Sequence, residues 1–337
     1  MNGTLSLDDV KAAAEQLRGH AFETPLLSFK VLDDAAGRKV WLKPENLQRT
    51  GSFKFRGAFN RLSQIPEGER AAGVVACSSG NHAQGVAEAA RILGMPAVIV
   101  MPEDAPAIKL KRTAEMGARV VTYKRGVEDR IAIAKAICEE NGATFVHPYD
   151  DRGVIAGQGT IGLEIVRQSA ALGLDIEAVA ACTGGGGLTS GVALGLEEGL
   201  PEAVVYTCEP AGFDDYARSL ASGRREVNAS GSGSVCDAIL TESPGELSFE
   251  VLTRRKARGL VVSDDEALAA VAFAFRELKL VVEPGGAVAL ASVLFRKMPA
   301  GNGPVVAILS GGNIDPETLE TALTVCSLLP GKIPGSN

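Results

Sequence analysis

The sequence predicts an α/β fold in which mostly parallel, twisted sheets are covered by helices on both faces. Three observations point there. Short apolar and β-branched runs alternate with stretches of helical periodicity along most of the 337 residues, the pattern of strands joined by helical crossovers. Hydrophobic residues make up 46% and charged residues 22% of the chain, enough to bury a real core and too apolar for a disordered chain. Glycine, with 39 residues, clusters directly after several strand-like runs, where backbone must approach something closely or take positive φ.

Taken in order, the strand-like runs are 40–43, 74–78, 97–101, 120–123, 144–146, 178–182, 204–208, 260–262 and 305–309. Between them, 81–93, 107–116, 127–140, 159–169 and 190–198 carry helical patterns. In 127–140, Val127, Ile131, Ala134, Ile137 and Cys138 recur at helical spacing. At about 150 residues per domain, a chain of this length forms two ordinary domains or one large one. The strand–helix alternations of 74–150 predict a small lobe. Residues 1–73 and 151–328 then form a larger lobe, and 329–337 a tail. The least regular stretch, 221–247, contains Gly231-Ser-Gly-Ser and Ser243-Pro-Gly and reads as a long surface connection.

Composition excludes several function classes. Acidic residues outnumber basic ones, 41 to 34, for a net charge of −7. That argues against nucleic acid as a partner, which needs a basic face. No apolar run reaches the roughly 18 residues of a membrane span, and residues 1–11 lack the basic-then-apolar pattern of a signal peptide. The six cysteines include no Cys-x-x-Cys pair, and most sit in apolar runs. Reduced thiols in the cytoplasm are therefore expected, not a zinc ribbon or a disulfide scaffold. Three histidines give little material for a His-based metal centre.

Several segments carry candidate chemistry. Lys54 sits between two phenylalanines in Thr50-Gly-Ser-Phe-Lys-Phe-Arg-Gly-Ala. A surface lysine with an apolar stem is the ordinary reading. The alternative is a desolvated amine, whose lowered pKa makes it a nucleophile toward a carbonyl. Cys77-Ser-Ser-Gly-Asn-His82 lies between a strand and a helix, where free amides attract an anion. A helix cap explains part of it, but not so many polar groups together. Thr183-Gly-Gly-Gly-Gly-Leu-Thr-Ser190 leaves amides free to wrap a phosphate, without the Gly-Lys-Ser/Thr ending of a P-loop. Leu309-Ser-Gly-Gly-Asn313 again follows a strand. In Glu209-Pro-Ala-Gly-Phe-Asp-Asp215, carboxylates stand six apart across a turn. A turn or cap is one reading, and oxygen ligands for Mg²⁺ or Ca²⁺ are the other.

Gly157-Gln-Gly-Thr-Ile-Gly162 matches the dinucleotide fingerprint, but no strand directly precedes it and it lies within a helical pattern. It reads as glycines that let a helix pack closely. The other loops follow strands, and in open α/β sheets such carboxyl ends converge on one crevice. A lysine nucleophile facing a phosphate cradle suggests a phosphorylated carbonyl cofactor, with pyridoxal phosphate the obvious one.

Ser52-Phe-Lys-Phe-Arg-Gly-Ala58, Ser78-Ser-Gly-Asn-His-Ala-Gln-Gly85, Gly184 to Leu188 and Ser310-Gly-Gly-Asn313 occur in this order. From about residue 5 to 328 the chain resembles the fold-type II pyridoxal-phosphate enzymes, among them the threonine/serine dehydratases and serine racemase. The resemblance implies a two-lobed fold and a role for each matching position. Lys54 would condense with the cofactor aldehyde and later move the Cα proton, while Phe53 would pack against the ring. Asn81 would bond the ring hydroxyl, and Ser310 would face the ring nitrogen. Gly184, Gly185, Gly186, Gly187 and Leu188 would hold the phosphate. Ser78, Asn81 and His82 would hold the substrate carboxylate. Glu209, Phe213 (through its carbonyl) and Asp215 match the divalent-cation site of racemase-like members.

The activity so implied is dehydration and deamination of a small amino acid such as L-threonine or L-serine to a 2-oxo acid and ammonia, with no membrane partner and a homodimer as the family assembly. A neutral serine at the ring nitrogen favours β-elimination over transamination. Ser79 either lines the pocket or, as in racemase-like members, protonates Cα from the face opposite the lysine. At 337 residues, the C-terminal regulatory domain of biosynthetic threonine dehydratases and its feedback control are not expected. Gly231-Ser-Gly-Ser-Val-Cys-Asp-Ala238 departs from the family pattern, and with Arg49 and the 149–152 turn it leaves 3-hydroxyaspartate and other hydroxylated amino acids open as substrates. A β-replacement synthase and a non-catalytic binder that keeps the fold also remain open.

Overall fold

The computed structural model describes residues 4–78, 80–105 and 107–324. The tail predicted at 329–337 lies outside them, as does Ser79. The strands are β1 (Leu27–Ser28), β2 (Val40–Pro44), β3 (Val74–Cys77), β4 (Ala97–Pro102), β5 (Arg119–Tyr123), β6 (Thr144–Phe145), β7 (Ala178–Cys182), β8 (Val204–Pro210), β9 (Arg258–Val262) and β10 (Val305–Leu309). The helices are α1 (Leu7–Leu17), α2 (Lys30–Ala36), α3 (Lys54–Ser63), α4 (Asn81–Leu93), α5 (Ala107–Glu115), α6 (Arg130–Asn141), α7 (Arg152–Ala171), α8 (Gly187–Gly195), α9 (Asp215–Ser222), α10 (Glu246–Arg254), α11 (Asp264–Phe273), α12 (Pro284–Leu294) and α13 (Pro316–Thr324).

Two sheets form, in the orders β1-β2-β10-β7-β8-β9 and β5-β4-β3-β6. Every pairing is parallel except that of β1 with β2. The expected α/β class is therefore the observed one. Strand periodicity explains why the central strands read as unbroken apolar runs. In β10, Val305, Ala307 and Leu309 enter one core while Val306 and Ile308 enter the core on the opposite face. In β7, Ala178, Ala180 and Cys182 face the first of these cores, and Val179 and Ala181 the second. Both faces being buried, no polar alternation survives. The smaller sheet is built from strands within 74–145, but its core also takes in Leu17, Phe55, Phe59, Leu62 and Val154.

The glycines at 157, 159 and 162 lie inside α7 and do what close packing requires. A methyl group at Gly157 would stand 2.6 Å from the Arg56 carbonyl oxygen in α3, and one at Gly162 would stand 2.6 Å from the Val192 carbonyl oxygen in α8. Backbone thus meets backbone across both helix pairs. This helix starts at Arg152, seven residues before the expected 159, because Asp151 caps it by accepting the Val154 N–H at 2.9 Å. The early glycines, unfavourable for a helix alone, are kept by the approach of α3. The helix expected at 127–140 instead begins at Arg130, after Asp129 caps the amides of Ile131 and Ala132.

Gly157→Ala should lower the midpoint of thermal or urea unfolding. Helix propensity favours alanine by about 1 kcal/mol, but overpacking two helix backbones costs about 1–3 kcal/mol. A raised midpoint would show that α3 can withdraw freely from α7.

Candidate active site

A cavity of ≈ 830 Å³ collects the ends of several elements. The start of α3 brings Phe53 and Lys54, the β3–α4 loop brings Ser78, Gly80, Asn81 and His82, and the β7–α8 loop brings Gly184 to Leu188. Ser310 and Asn313 come from beyond β10, and Pro148 and Tyr149 from beyond β6. These are mostly carboxyl ends of parallel strands, where open α/β sheets form crevices. The stretch 221–247, expected as a surface connection, supplies a wall of the cavity through residues 228–234 and 237–242. Asn228 pins that wall: its N–H bonds the Glu242 carbonyl at 2.8 Å, and its amide bonds Asp215 at 2.6 Å.

Lys54 borders the cavity, with surrounding protein withdrawing its amine from bulk water. Its Nζ donates to the Pro148 carbonyl at 2.7 Å and lies 5.2 Å from the centre of the Phe53 ring. No carboxylate pairs with it among the described residues. Burial disfavours the ammonium and lowers the pKa from 10.5 to about 8. The start of α3 is tied down by Phe53 N–H on the Ser310 carbonyl at 3.1 Å and by the bridge between Ser52 and Gly311. Arg56, two residues on, is buried against Glu45 and Glu164.

The glycine loop is packed tightly against its neighbours where it does not face the cavity. A methyl at Gly185 would fall within 2.2 Å of the Tyr149 ring, and one at Gly186 within 1.9 Å of the Tyr216 hydroxyl. Gly186 also has φ of +91°, in the left-handed region that side chains resist. The Gly185 carbonyl accepts the Tyr216 O–H at 3.0 Å and the Gly245 N–H at 3.1 Å. With the carbonyl turned away in this manner, the amides that open α8 are left for an anion.

Asn81 is held between two partners. Its Nδ2 donates to Glu283 Oε1 at 2.6 Å, and its Oδ1 accepts from Asn313 Nδ2 at 2.7 Å. Glu283 is buried, which pushes its carboxyl up to about 7 against the opposing bond from Asn81. Ser78 Oγ accepts the Gly80 N–H at 3.1 Å. His82 turns its Nε2 to the Val146 carbonyl at 3.1 Å, and its buried Nδ1 has no partner. Burial and Lys54 hold this imidazole down at about 3, so the ring is neutral. A neutral ring donating from Nε2 has only a lone pair at Nδ1. The donors His82 offers the cavity are therefore backbone, within the first turn of α4.

Glu209 and Asp215 lie together beneath the glycine loop. Glu209 accepts the amides of Tyr216 and Ala217, each at 2.8 Å. Burial and the neighbouring Asp215 push Glu209 well above the usual carboxylate range. Burial raises Asp215 to about 6, against the bond from Asn228. Its Oδ2 is buried without a partner. Phe213 lies buried in the turn between them, its N–H on the Pro210 carbonyl at 3.0 Å. Among the described residues, no three His, Cys, Asp or Glu side chains are grouped to hold a metal ion.

Sequence reasoning did not single out Glu283, Tyr216 or the Pro148 carbonyl. Glu283 precedes Pro-Gly-Gly at the start of α12, which reads only as a helix cap. Its partner Asn81 is 202 residues away. The described residues include no helix long and apolar enough to cross a membrane.

The family model described as pyridoxal-phosphate dependent enzyme matches residues 17–311. The chain is 43% identical over 318 residues to an L-threo-3-hydroxyaspartate ammonia-lyase from Pseudomonas sp, covering 94% of this chain and 98% of that one. It is 41% identical over 311 residues to an L-threonine ammonia-lyase from Thermotoga maritima, covering 92% of this chain and 76% of the relative. The crystal structure of serine racemase from Dictyostelium discoideum matches with a TM-score of 0.86 and 35% identity, covering 93% of this chain and 100% of that one. With its parallel sheets, glycine loop and pocket lysine in the order the motifs implied, the chain belongs to the pyridoxal-phosphate-dependent enzymes of fold type II.

Proposed function

We propose that the protein eliminates water from a β-hydroxy amino acid and so releases a 2-oxo acid and ammonia. The observation that carries this reading is the Lys54 amine, which faces a carbonyl and no acid, in a cavity with an anion cradle at each of two helix starts. The glycine loop fits the cofactor's phosphate, because side chains at Gly185 and Gly186 would collide with Tyr149 and Tyr216, so only glycines let the loop hold its bare amides toward an anion at the start of α8. Pyridoxal phosphate supplies an aldehyde for attachment and a ring that takes up the charge left when Cα loses its proton.

This chain's residues do the rest. Lys54 would hold the cofactor through its neutral amine and would be the base placed to take the Cα proton, with the Pro148 carbonyl orienting it. Backbone amides of Gly184 to Leu188 hold the phosphate. The Ser78 hydroxyl and the first-turn amides of α4 hold the substrate carboxylate. Asn81, fixed by Glu283 and Asn313, meets the ring hydroxyl, and Phe53 packs against the ring. Ser310 would offer the ring nitrogen a neutral hydroxyl and no carboxylate, which would favour elimination. The β-hydroxyl would leave as water by taking up one proton, equal to the one Lys54 removes from Cα, so that no net proton is gained or lost. The enamine set free takes up water again to give 2-oxo acid and ammonia, so the net change is deamination. Ser79 belongs to this reading as a pocket residue or as a second proton donor to Cα.

A substrate with a β-carboxylate is a second reading, favoured by Arg130. Its guanidinium borders the cavity and has no hydrogen-bond or ion-pair partner among the described residues. Arg125 and Lys109 also border the cavity, but Asp104 and Asp237 engage them. A relative named for L-threo-3-hydroxyaspartate agrees with it. Mg²⁺ or Ca²⁺ at Glu209, the Phe213 carbonyl and Asp215 completes the proposal. The unpartnered Asp215 oxygen and the raised carboxyls are what a cation would relieve.

Assay of a panel of β-hydroxy amino acids should yield 2-oxo acid and ammonia in equal amounts, with Lys54→Ala inactive. Arg130→Ala should raise KM for 3-hydroxyaspartate by about tenfold or more, the scale of a lost charge-assisted bond, while threonine changes little. Equal effects on both substrates would remove the β-carboxylate reading. Cofactor loading of the cofactor-free protein supplies a pH test. Only the neutral amine condenses, so the loading rate should rise about tenfold per pH unit up to about 8 and then level. A midpoint near the ordinary lysine value would contradict this. For the cation, thermal unfolding should move up by a few degrees with Mg²⁺ or Ca²⁺ and back with a chelator, and Asp215→Ala should abolish the response.

A further inference from the structure

The segment that follows β6 lines the cavity with Pro148 and Tyr149 and ties into the elements around it through nearly every residue. The Val146 carbonyl takes His82 Nε2 at 3.1 Å. The Pro148 carbonyl takes the Lys54 amine at 2.7 Å. Tyr149 packs its ring against Gly185 and its backbone against Gly187. Asp150 accepts the amides of Glu246 and Leu247, each at 3.0 Å, at the start of α10. His147 alone bonds inward. Its Nδ1 accepts the Asp150 N–H at 2.9 Å and the Tyr149 N–H at 3.4 Å, and its ring stands edge-on to Phe145 and Tyr149.

We infer that His147 is a positioning residue: through an unprotonated Nδ1 it holds the turn that presents the Pro148 carbonyl to Lys54 and the Tyr149 ring to the glycine loop. The inference rests on the elimination reading above for its consequence, though not for its geometry. Two backbone N–H groups aimed at one ring nitrogen require a lone pair there, so the proton of the neutral ring sits on Nε2. A second proton would set N–H against N–H and open the turn. Residues 148 and 149 would then shift relative to Lys54 and Gly185.

The titratable groups around the ring are Asp150 and Asp151, which favour its protonation, and Lys54, which opposes it; His82 and the Tyr149 phenol are also near. Burial is the largest influence and lowers the histidine from its usual value. The sign follows. The turn is intact at neutral and alkaline pH and fails as pH falls through a value below 6.5.

Asparagine and phenylalanine separate positioning from mere filling. In asparagine, Oδ1 occupies the place of the imidazole Nδ1, accepts the same amides and does not titrate. Phenylalanine keeps a ring and loses the acceptor. With the holoenzyme, His147→Phe should lower kcat by about tenfold to a hundredfold, the scale of a small misplacement of reacting groups. His147→Asn should restore kcat to within about threefold and keep activity at acid pH where the wild type loses it. A second readout needs no turnover. The chain has three histidines, so ¹⁵N-histidine spectra of wild type and His147→Asn assign the ring, which should carry its proton on Nε2. Wild-type kcat and pH profile in His147→Phe, or a proton on Nδ1, would overturn the inference. Should His147→Phe not fold, the tautomer alone decides. If wild-type protein showed no visible absorbance from a lysine-bound cofactor, the elimination reading would fail, and the spectra would still judge the turn.

Discussion

A half-buried amine without a counter-charge is the constraint around which this molecule is arranged. Two lysines show the difference that neighbours make. Lys43 is fully buried, yet Glu164 meets it at 2.6 Å and Gln168 at 3.1 Å. Lys54 has a carbonyl and a cavity. The first is a member of a charge network, and the second is a base in waiting. An unpaired buried ammonium is costly, so the group relieves the cost by giving up its proton more readily. That response is useful only if the amine points one way, and α3 is locked to ensure it. Arg56 forks onto Glu45 and Glu164, and Gly57 offers its N–H to Gln158 at 3.1 Å. Losing one partner of such a buried pair costs about 3–5 kcal/mol, which gives α3 little freedom to turn.

Charge at the site differs in kind from charge on the chain. The whole protein is acidic, with a net −7, while its cavity is built to receive two anionic groups. Helix starts resolve the contradiction. α4 and α8 each direct free amides and the positive end of a dipole into the cavity. Neither needs a cationic side chain to do so, and His82 is held neutral. Fixed dipoles suit this chemistry better than mobile cations, since a lysine or arginine beside Lys54 would alter the very amine that reacts.

What was legible in the sequence was local. The glycine loop, the Ser-Gly-Asn-His loop and the lysine motif are runs of adjacent residues whose function lies in their own backbone. Parallel strands were legible because burial on both faces leaves continuous apolar runs. Clusters that assemble across the chain were not. Asn81 meets Glu283 and Asn313 only after two sheets have formed, and a lone acid before a proline carries no mark of that meeting. Residues 228–242 belong to a largely exposed connection, as expected, and also wall the cavity. Polar, glycine-rich composition describes a surface loop and a cavity wall equally well, and only the bonds from Asn228 distinguish them. The role of His82 shifted likewise, because a carbonyl 64 residues away claims its ring.

Tyr216 ties the acid pair to the cradle. Its N–H bonds Glu209 at 2.8 Å and its hydroxyl bonds the Gly185 carbonyl at 3.0 Å. A single side chain thus spans the distance between two buried carboxyls and the loop that would hold a phosphate. Asp215, its neighbour in sequence, bonds Asn228 on the cavity wall. The pair is thus bonded, through adjacent residues of one short helix, to both the glycine loop and the cavity wall. A cation bound there would need no contact with substrate to matter. It would set the repulsion between two acids, and that repulsion is borne by the elements that shape the cradle.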